Sequence, residues 1–393
     1  MKGSQQRRVL FLTPFPPRLD ATHGGGRVVA QTIARLAERE RVALLCLRLE
    51  TEPPADELLR KRCDLLEEVP RPLVGSSPVR LWAQRQRLPL LLSGAPQWVV
   101  GCSVAAYGQR LRSIVGSWQP DVVQIEYAVM GQYARLVDRA AAARVLVEHD
   151  AGQGGGGRSW RRYRASVMKR TDAVVVFTRR DQEVLRPLAG STPLARIPFG
   201  ADVPATALDP AGHDPPSLLF VGNYSHGPNV EAARRLAERI LPRLRERHPE
   251  LLLDLVGEGL PDDLVGPGAL ATGWVDDLTP YLDRAAVVVA PLSSGGGMRV
   301  KVLEALAAGK AVVASPLAVD GLDVTDGKEV LLADDDDAFV TAVLTLLAEP
   351  ERRREQAGRA RAWALANLSW DASIRAYQKL YESLLERRGA AAP

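Results

Sequence analysis

The chain has 393 residues, and at roughly 150 residues per domain this length favours two domains. Hydrophobic residues make up 46% and charged residues 25% of the chain, a globular mixture that excludes a disordered protein. No apolar run reaches the length of about 18 residues that a transmembrane helix needs, and residues 1–12 lack the apolar core of a secretory signal. We therefore expect a cytoplasmic protein.

The net charge of +4 is unevenly distributed along the chain. Residues 1–205 carry +12, whereas residues 206–393 carry −8. A basic first half favours an anionic partner, which could be a membrane surface, a phosphorylated acceptor or nucleic acid.

The first half of the chain predicts a parallel sheet. A buried strand over 8–13, the glycine loop Gly24–Gly26, a helix over 27–39 and a strand over 42–47 form a βαβ unit. Apolar runs predict further strands at 121–125, 144–148 and 173–177. Helices are predicted around 128–142 and 158–171, whereas residues 50–118 show no clean period.

The second half predicts another α/β domain. Strands are predicted at 217–221, 251–256, 286–290 and 311–314. Helices are predicted at 230–247, 300–308 and 338–347. Asn229 is the expected N-cap of the first of these helices, and four aspartates at 334–337 favour the N-terminus of the last.

Four prolines within 203–216 predict a boundary between the two domains. We expect a first domain over 1–205, a linker over 206–216, a second domain over 217–368 and a C-terminal helix over 369–393 that packs back toward the first domain. Ligands of open parallel sheets bind beyond the carboxyl ends of the strands, so two such domains predict a cleft.

Two glycine-rich loops are candidate anion sites. Gly24-Gly25-Gly26 opens a predicted helix, whose N–H groups could contact phosphate, but a plain flexible loop fits equally well. In Pro291–Val313, the loop Gly295–Gly297 precedes a helix that carries Arg299, Lys301 and Glu304. Such a site suits a diphosphate, and Glu304 could accept hydrogen bonds from ribose. A plain salt-bridged helix start, with Lys301 and Glu304 at i and i+3, remains an equal alternative.

Residues 291–313 resemble the nucleotide-sugar loop and helix of the GT-B glycosyltransferases, specifically the retaining family 4 group (glycosyl transferases group 1). The resemblance extends over most of the chain. Its other motifs occur in the family's order: Gly24-Gly25, Val147–Asp150, Ala173–Thr178, Ile197–Asp202, Phe220–Gly222, Val256–Gly259, Thr272–Val275, Ala290-Pro291 and Ser369–Asp371.

The resemblance implies an α/β protein with two Rossmann-like domains that face each other across a cleft. It implies a retaining transfer from a nucleotide-diphosphate sugar to a glycan, a lipid-linked or a small-molecule acceptor. Arg299 and Lys301 would bind the diphosphate, Glu304 the ribose, and Gly24 and Gly25 the distal phosphate. His149 would lie near the transferred sugar, although a structural histidine at a strand end is the alternative reading.

Further donor contacts would come from Gly222, Gly296 and Gly297. Here the chain departs from the family, because Gly296 stands where a glutamate is common. Asn223 and its neighbours replace a basic pair, and Phe199 replaces a common asparagine. These departures leave the donor open and place more of the phosphate charge on Arg299 and Lys301.

We expect no metal and no resident cofactor. The acidic pair Asp276-Asp277 follows a turn, and the three cysteines form no metal-like cluster. The leaving group would instead be stabilised by Arg299, Lys301 and helix amides.

Residues 158–170 form a basic segment interleaved with Trp160, Tyr163, Val167 and Met168. On a helix these apolar side chains share one side, which fits either an anionic membrane or nucleic acid. A packed helix with a solvated basic face is the simpler reading. We expect no nucleic-acid partner and a peripheral position on the inner face of the membrane.

Two other functions remain open. One is a GT-B-like enzyme of another kind: an epimerase would convert the nucleotide sugar without any acceptor, and a phosphorylase would need inorganic phosphate. A non-catalytic GT-B module would bind a glycan or a partner protein, which the glycine at position 296 favours and the retention of Arg299, Lys301 and Glu304 opposes.

Overall fold

The computed structural model describes residues 6–21, 24–72, 94–149, 157–201, 203–294 and 300–391. The chain forms two compact units: unit 1 comprises Met1–Pro198 and Ser373–Pro393, and unit 2 comprises Phe199–Ala372. This grouping does not test the domain limits and the linker that we expect from the sequence, and these stay predictions. Within the described ranges, no helix combines the length and the apolar character that crossing a bilayer requires.

Unit 1 is built on a parallel sheet. Its strands are β1 (Arg8–Thr13), β2 (Arg41–Arg48), β3 (Leu65–Pro70), β4 (Val122–Glu126), β5 (Ala143–Glu148), β6 (Ala173–Val176) and β7 (Leu194–Arg196). Their order is β3-β2-β1-β4-β5-β6-β7. The central strands are apolar runs buried along nearly their whole length, as expected for a sheet covered on both faces.

Helices and a 3-10 turn surround this sheet. They are α1 (Gly24–Leu36), α2 (Glu57–Arg62), α3 (Gln97–Gly101), α4 (Ala105–Trp118), the 3-10 turn Ala128–Leu136, α5 (Arg158–Met168) and α6 (Arg179–Ala189). The side chains of Asp56 and Thr178 cap α2 and α6 by accepting hydrogen bonds from Leu58 N and Asp181 N.

Unit 2 contains a second parallel sheet, in the order β10-β9-β8-β11-β12-β13. Its strands are β8 (Ser217–Val221), β9 (Leu252–Val256), β10 (Ala269–Gly273), β11 (Ala285–Ala290), β12 (Val312–Ala314) and β13 (Leu331–Leu332). The predicted α/β class is therefore confirmed in both units.

The helices of unit 2 include one with a π-helical centre. They are α7 (Gly227–Arg234), the π stretch Arg235–Ile240, α8 (Leu241–Arg245), α9 (Thr279–Arg284), α10 (Val300–Ala308), α11 (Asp336–Ala348) and α12 (Pro350–Asn367), with 3-10 turns at Asp262–Leu264 and Pro316–Val319. The final helix, α13, spans Trp370–Ala391, and its residues from Ser373 onward belong to unit 1.

Some local predictions were wrong. The helix expected over 128–142 is a 3-10 turn that ends at Leu136. Asn229 is not an N-cap, because α7 already begins at Gly227 and His226 occupies the cap position. The aspartate run at 334–337 does begin a helix, since Asp335 accepts a hydrogen bond from Ala338 N at 2.8 Å.

The proline-rich segment before β8 is bonded to unit 2. His213 N donates to Arg284 O at 2.9 Å. Lys310, which has no exposed surface, donates from Nζ to the carbonyl oxygens of Asp209 and, at 3.1 Å, of Asp283. Burial lowers the pKa of Lys310 to about 8, because a low-dielectric site disfavours the ammonium.

Lys310 should make the stability of unit 2 depend on pH. Between pH 8 and the ordinary lysine pKa of 10.5, the unfolded chain holds more protons than the folded chain, so the Lys310 contribution to the free energy of unfolding rises with pH. Denaturation of wild type and Lys310→Met at pH 7 and pH 10 should show the wild type gaining on the order of 2 kcal/mol relative to the variant. The exposed Lys328, changed to Met, should give no such difference.

Gly257, at the carboxyl end of β9, tests how closely two strand ends approach. It has a φ of +136°, and a Cβ there would lie 1.7 Å from the carbonyl oxygen of Gly222. Gly257→Ala should lower the free energy of unfolding by at least about 2 kcal/mol. Gly227→Ala is the matched control, because no atom lies within 4 Å of an added Cβ there; equal stability losses in the two variants would contradict the close approach.

Candidate functional site

The residues predicted for function separate into described and undescribed ones. Gly296, Gly297 and Arg299 lie outside the described residues, as do Asp150 and Asp202 of the resembling motifs. Lys301, Glu304 and Gly222 lie in unit 2, and His149, Gly24 and Gly25 lie in unit 1. Each unit is therefore considered separately.

In unit 2, loops from neighbouring strands are joined at the carboxyl edge of the sheet. Gly222 N, just past β8, donates to Val256 O at 2.9 Å, and Tyr224 N donates to Glu258 O at 2.9 Å. Gly222 lies close to Asn229: a Cβ added at position 222 would lie 3.1 Å from the Cβ of Asn229. The glycines thus allow two loops and a helix start to approach one another closely.

Lys301 lies at this edge. Its Nζ donates to Asn229 Oδ1 at 2.6 Å and lies 4.4 Å from the centre of the Phe220 ring. An ammonium over an aromatic face is stabilised by the ring quadrupole. The structure therefore brings Lys301 and Gly222 together, as a site for an anion beyond β8 requires.

Asn229 is the functional neighbour that the sequence interpretation missed. Its Nδ2 donates to Asn223 O at 2.7 Å, so its amide oxygen faces Lys301 and the amide orientation is fixed. The residues from 223 to 229 that replace the family's basic pair thus supply an amide that holds the lysine. One feature of the sequence could have indicated this contact, because Asn229 is a polar residue that soon follows the glycine after β8. The same position equally suited an N-cap.

Two side chains of the helix that starts at Gly227 hold residues 291–294 in place. Glu231 Oε2 accepts a hydrogen bond from Ser294 Oγ at 2.7 Å, and bonds from Ser294 and Ser293 lower the pKa of Glu231. Arg235 Nη1 donates to Pro291 O at 3.2 Å, while its Nε donates to Asp336 Oδ1 at 2.7 Å. Residues 291–294 are therefore anchored on the helix that also carries Asn229.

Glu304 is half-buried on α10, three residues after Lys301. In unit 1, Gly24 and Gly25 are the first two residues of α1. The opening N–H groups of a helix have no partner four residues earlier within the helix, which agrees with the anion contact predicted for these glycines without testing it.

His149 lies directly after β5 and is 5% exposed. Its Nε2 lies 2.5 Å from Oε2 of Glu126, the last residue of β4. The Tyr127 ring stacks on the imidazole with centroids 4.0 Å apart, and Phe177, which follows β6, contacts it edge-on at 5.0 Å. Three adjacent strand ends thus position this histidine.

The basic segment 158–170 is a packed helix with an exposed cationic side. Val167 and Met168 belong to the unit 1 core, and Arg164 is buried with its guanidinium over the Trp160 ring. The exposed cations are Arg158, Arg161, Arg162, Lys169 and Arg170. Trp98, 42% exposed, contacts Trp160 with ring centroids 6.3 Å apart.

Within the described part of the chain, no three His, Cys, Asp or Glu side chains cluster as metal ligands would. The acidic pair after β10 has a turn role, since Asp277 Oδ1 accepts a hydrogen bond from Thr279 N at 2.9 Å. That bond, together with one from the Thr279 side chain, lowers the pKa of Asp277.

Residues 215–349 match the family model described as glycosyl transferases group 1. A phosphatidyl-myo-inositol mannosyltransferase of Mycolicibacterium smegmatis is 31% identical over 202 residues, which cover 48% of this chain and 51% of that protein. A GDP-mannose-dependent alpha-(1-6)-phosphatidylinositol monomannoside mannosyltransferase of the same organism is 31% identical over 209 residues, 46% of this chain and 54% of that protein. The chain thus spans about half the length of the curated relatives it matches.

Solved structures are similar over nearly the whole chain. Sucrose-phosphate synthase from Thermosynechococcus elongatus has a TM-score of 0.73 at 18% identity, covering 97% of this chain and 100% of that one. Anabaena HepE in complex with UDP has a TM-score of 0.67 at 14% identity, covering 96% and 99%. These likenesses show the fold, which confirms the GT-B architecture expected from the sequence. The resemblance to glycosyl transferases group 1 is thereby confirmed for residues 215–349, in a chain that has the GT-B fold.

Proposed function

We propose that this protein is a glycosyltransferase that moves a sugar from a nucleotide-diphosphate sugar to an acceptor hydroxyl, with retention at the anomeric carbon and without a metal. The observation that carries the proposal is the Lys301 ammonium beside Gly222 at the carboxyl edge of the unit 2 sheet. It lies inside the segment that matches the glycosyl transferases group 1 model. A fixed cation at such an edge suits a diphosphate whose charge grows as it leaves.

In the proposed reaction, the bond from the anomeric carbon to the diphosphate oxygen breaks and the diphosphate takes the electron pair. The acceptor hydroxyl attacks from the same face, and its proton passes to the departing phosphate oxygen. Lys301 stabilises the developing charge, and the sequence assigns the same role to Arg299. Glu304 binds ribose, Gly24 and Gly25 contact the distal phosphate, Gly296 and Gly297 contact the donor sugar, and His149 lies near that sugar.

The comparisons support a choice of donor bases. A relative is named for GDP-mannose, whereas a structural neighbour was solved with UDP. We propose a nucleoside diphosphate sugar as the donor, with GDP-mannose and UDP-glucose as the first candidates. No resident cofactor takes part in the proposed reaction.

The acceptor is proposed to be a lipid-linked or anionic glycan precursor. Unit 1 carries most of the basic half of the chain, and several relatives are named as phosphatidyl-myo-inositol mannosyltransferases. An anionic acceptor at a membrane would be attracted by such a surface. We therefore propose peripheral association with the cytoplasmic membrane face.

Lys301→Ala should lower kcat/KM for sugar transfer by roughly 10²-fold, about 3 kcal/mol, because one stabilising donor to the leaving group is lost. The experiment first screens GDP, UDP, ADP and their sugars by thermal shift, since a bound donor raises the melting temperature. Transfer is then measured with the donor that binds. Lys328→Ala, an exposed lysine of the same unit, should retain wild-type activity.

Four results would contradict the proposed function. Full activity in Lys301→Ala would remove this residue from the site. Conversion of the donor without any acceptor would indicate an epimerase, and a requirement for inorganic phosphate would indicate a phosphorylase. Absence of binding to every nucleotide would favour a non-catalytic module.

Membrane association through α5 can be tested with vesicles. Replacing Arg158, Arg161 and Arg162 by Gln should lower partitioning onto anionic phosphatidylglycerol vesicles by roughly 100-fold at low salt, at about 1 kcal/mol per cation. Wild-type binding should also fall at high salt because exposed charges are screened.

The matched control replaces three exposed arginines of α12, Arg352, Arg354 and Arg359, whose side chains are 50 to 53% exposed. These changes remove the same charge from unit 2 and should leave vesicle binding nearly unchanged. If both triple variants lose binding equally, net charge rather than α5 attracts the protein, and if wild type never binds, the membrane proposal is wrong.

A further inference from the structure

A continuous chain of buried polar side chains crosses unit 1 and ends at His149. The Tyr381 hydroxyl donates to Gln124 Oε1. Gln124 Nε2 donates to Glu126 Oε1 at 2.6 Å, and Glu126 Oε2 lies 2.5 Å from His149 Nε2. The four residues are between 0 and 5% exposed. They come from α13, β4 and the end of β5, so the C-terminal helix is tied to the strand end that carries the histidine.

The direction of these hydrogen bonds determines where the imidazole proton lies. Burial holds the pKa of Tyr381 well above its ordinary value, so its hydroxyl donates and the amide oxygen of Gln124 accepts. The amide NH₂ then faces Glu126, whose Oε1 accepts its hydrogen bond. The second carboxylate oxygen therefore requires a proton on His149 Nε2, which leaves Nδ1 as the ring nitrogen that is available to a ligand.

His149 Nδ1 is buried and has no hydrogen-bond partner among the described residues. A buried polar nitrogen without a partner is unusual in a folded protein and indicates a missing ligand, water or functional contact. No described side chain forms a hydrogen bond with Nδ1, whereas Nε2 of the same ring contacts Glu126.

The ring is also fixed from its face and its edge. Tyr127 stacks on it with an interplanar angle of 10°, and Phe177 contacts it edge-on. Tyr127 has a φ of 66° and a ψ of 140°, a backbone region that side-chain-bearing residues avoid and that persists mainly at functional sites. The backbone conformation that costs free energy at Tyr127 is the one that places its ring on His149.

We propose that Glu126 is a positioning residue that holds the Nε2–H of His149 inward and presents Nδ1 as an acceptor to a hydroxyl of the bound sugar or acceptor. This inference rests on the proposed function, because it needs a saccharide substrate in unit 1. The Gln124–Tyr381 connection extends the positioning to α13.

The test combines histidine ¹⁵N NMR with kinetics on the full chain. Wild type should show His149, identified by the signal that His149→Gln loses, protonated at Nε2 and unprotonated at Nδ1. Glu126→Leu removes both acceptor oxygens, so this pattern should give way to a mixture of tautomers. Its kcat should fall at least about 10-fold with KM within about threefold, because the Nδ1 acceptor loses its orientation toward the substrate hydroxyl while the diphosphate contacts remain.

Glu40→Leu is the matched control. Glu40 is also a buried carboxylate of unit 1, paired with Arg7 at 2.7 Å, and it accepts a hydrogen bond from Gln378 of the same C-terminal helix at 2.7 Å. Its loss should lower stability in a similar way but leave the His149 spectrum unchanged and kcat within about twofold. Glu126→Gln, which keeps one acceptor oxygen, should restore most of the Nε2–H signal and of the activity.

Several results would overturn the proposal. One is a wild-type His149 protonated at Nδ1 with a bare Nε2. Another is a folded Glu126→Leu protein whose spectrum is unchanged or whose kcat falls no further than that of Glu40→Leu. If Glu126→Leu does not fold, the wild-type spectrum and Glu126→Gln still decide. If wild type transfers no sugar, the proposed function fails while the NMR measurement still reports the tautomer.

Discussion

The hydrogen bond from Lys301 to the Asn229 amide is the interaction on which the carboxyl edge of the unit 2 sheet depends. An ammonium near an apolar strand end is costly unless it is paired with an acceptor. Asn229 supplies that acceptor without a negative charge, so the Lys301–Asn229 pair keeps a net positive charge. The Phe220 ring supports the ammonium from its face and is itself fully buried in the sheet.

One helix start organises this edge. Asn229, Glu231 and Arg235 respectively contact Lys301, Ser294 and the Pro291 carbonyl. These contacts hold both described flanks of the segment 295–299, to which the sequence assigns the remaining donor-binding residues. In any parallel sheet the strands end at the same edge, so the loops that follow them lie close together there. The strands themselves are buried on both faces, which gives these loops a fixed base.

Unit 1 uses the same constraint for a different chemistry. The ends of β4, β5 and β6 place Glu126, His149 and Phe177 together. A buried carboxyl group therefore contacts an imidazole at this edge of the sheet. His149 is therefore held by a carboxylate on one nitrogen and by two aromatic rings.

The sequence by itself determined the two parallel α/β sheets, because uninterrupted apolar runs of four to six residues, separated by glycine and helical periodicity, have few other ways to be buried. It also identified Gly222 and His149 as residues at strand ends and Lys301 as a residue in the first turn of a helix. It failed for short edge strands such as β7 and β13 and for the 3-10 turn at 128–136, where local periodicity is too short to distinguish the alternatives. Only the tertiary structure decided that Asn229 faces Lys301 rather than capping its helix, that Glu126 contacts His149 and that Tyr381 contacts Gln124. Those pairs are separated by between 23 and 257 residues along the chain, and a side chain's partner at such a distance is set by how strands and helices pack, not by its neighbours in the sequence.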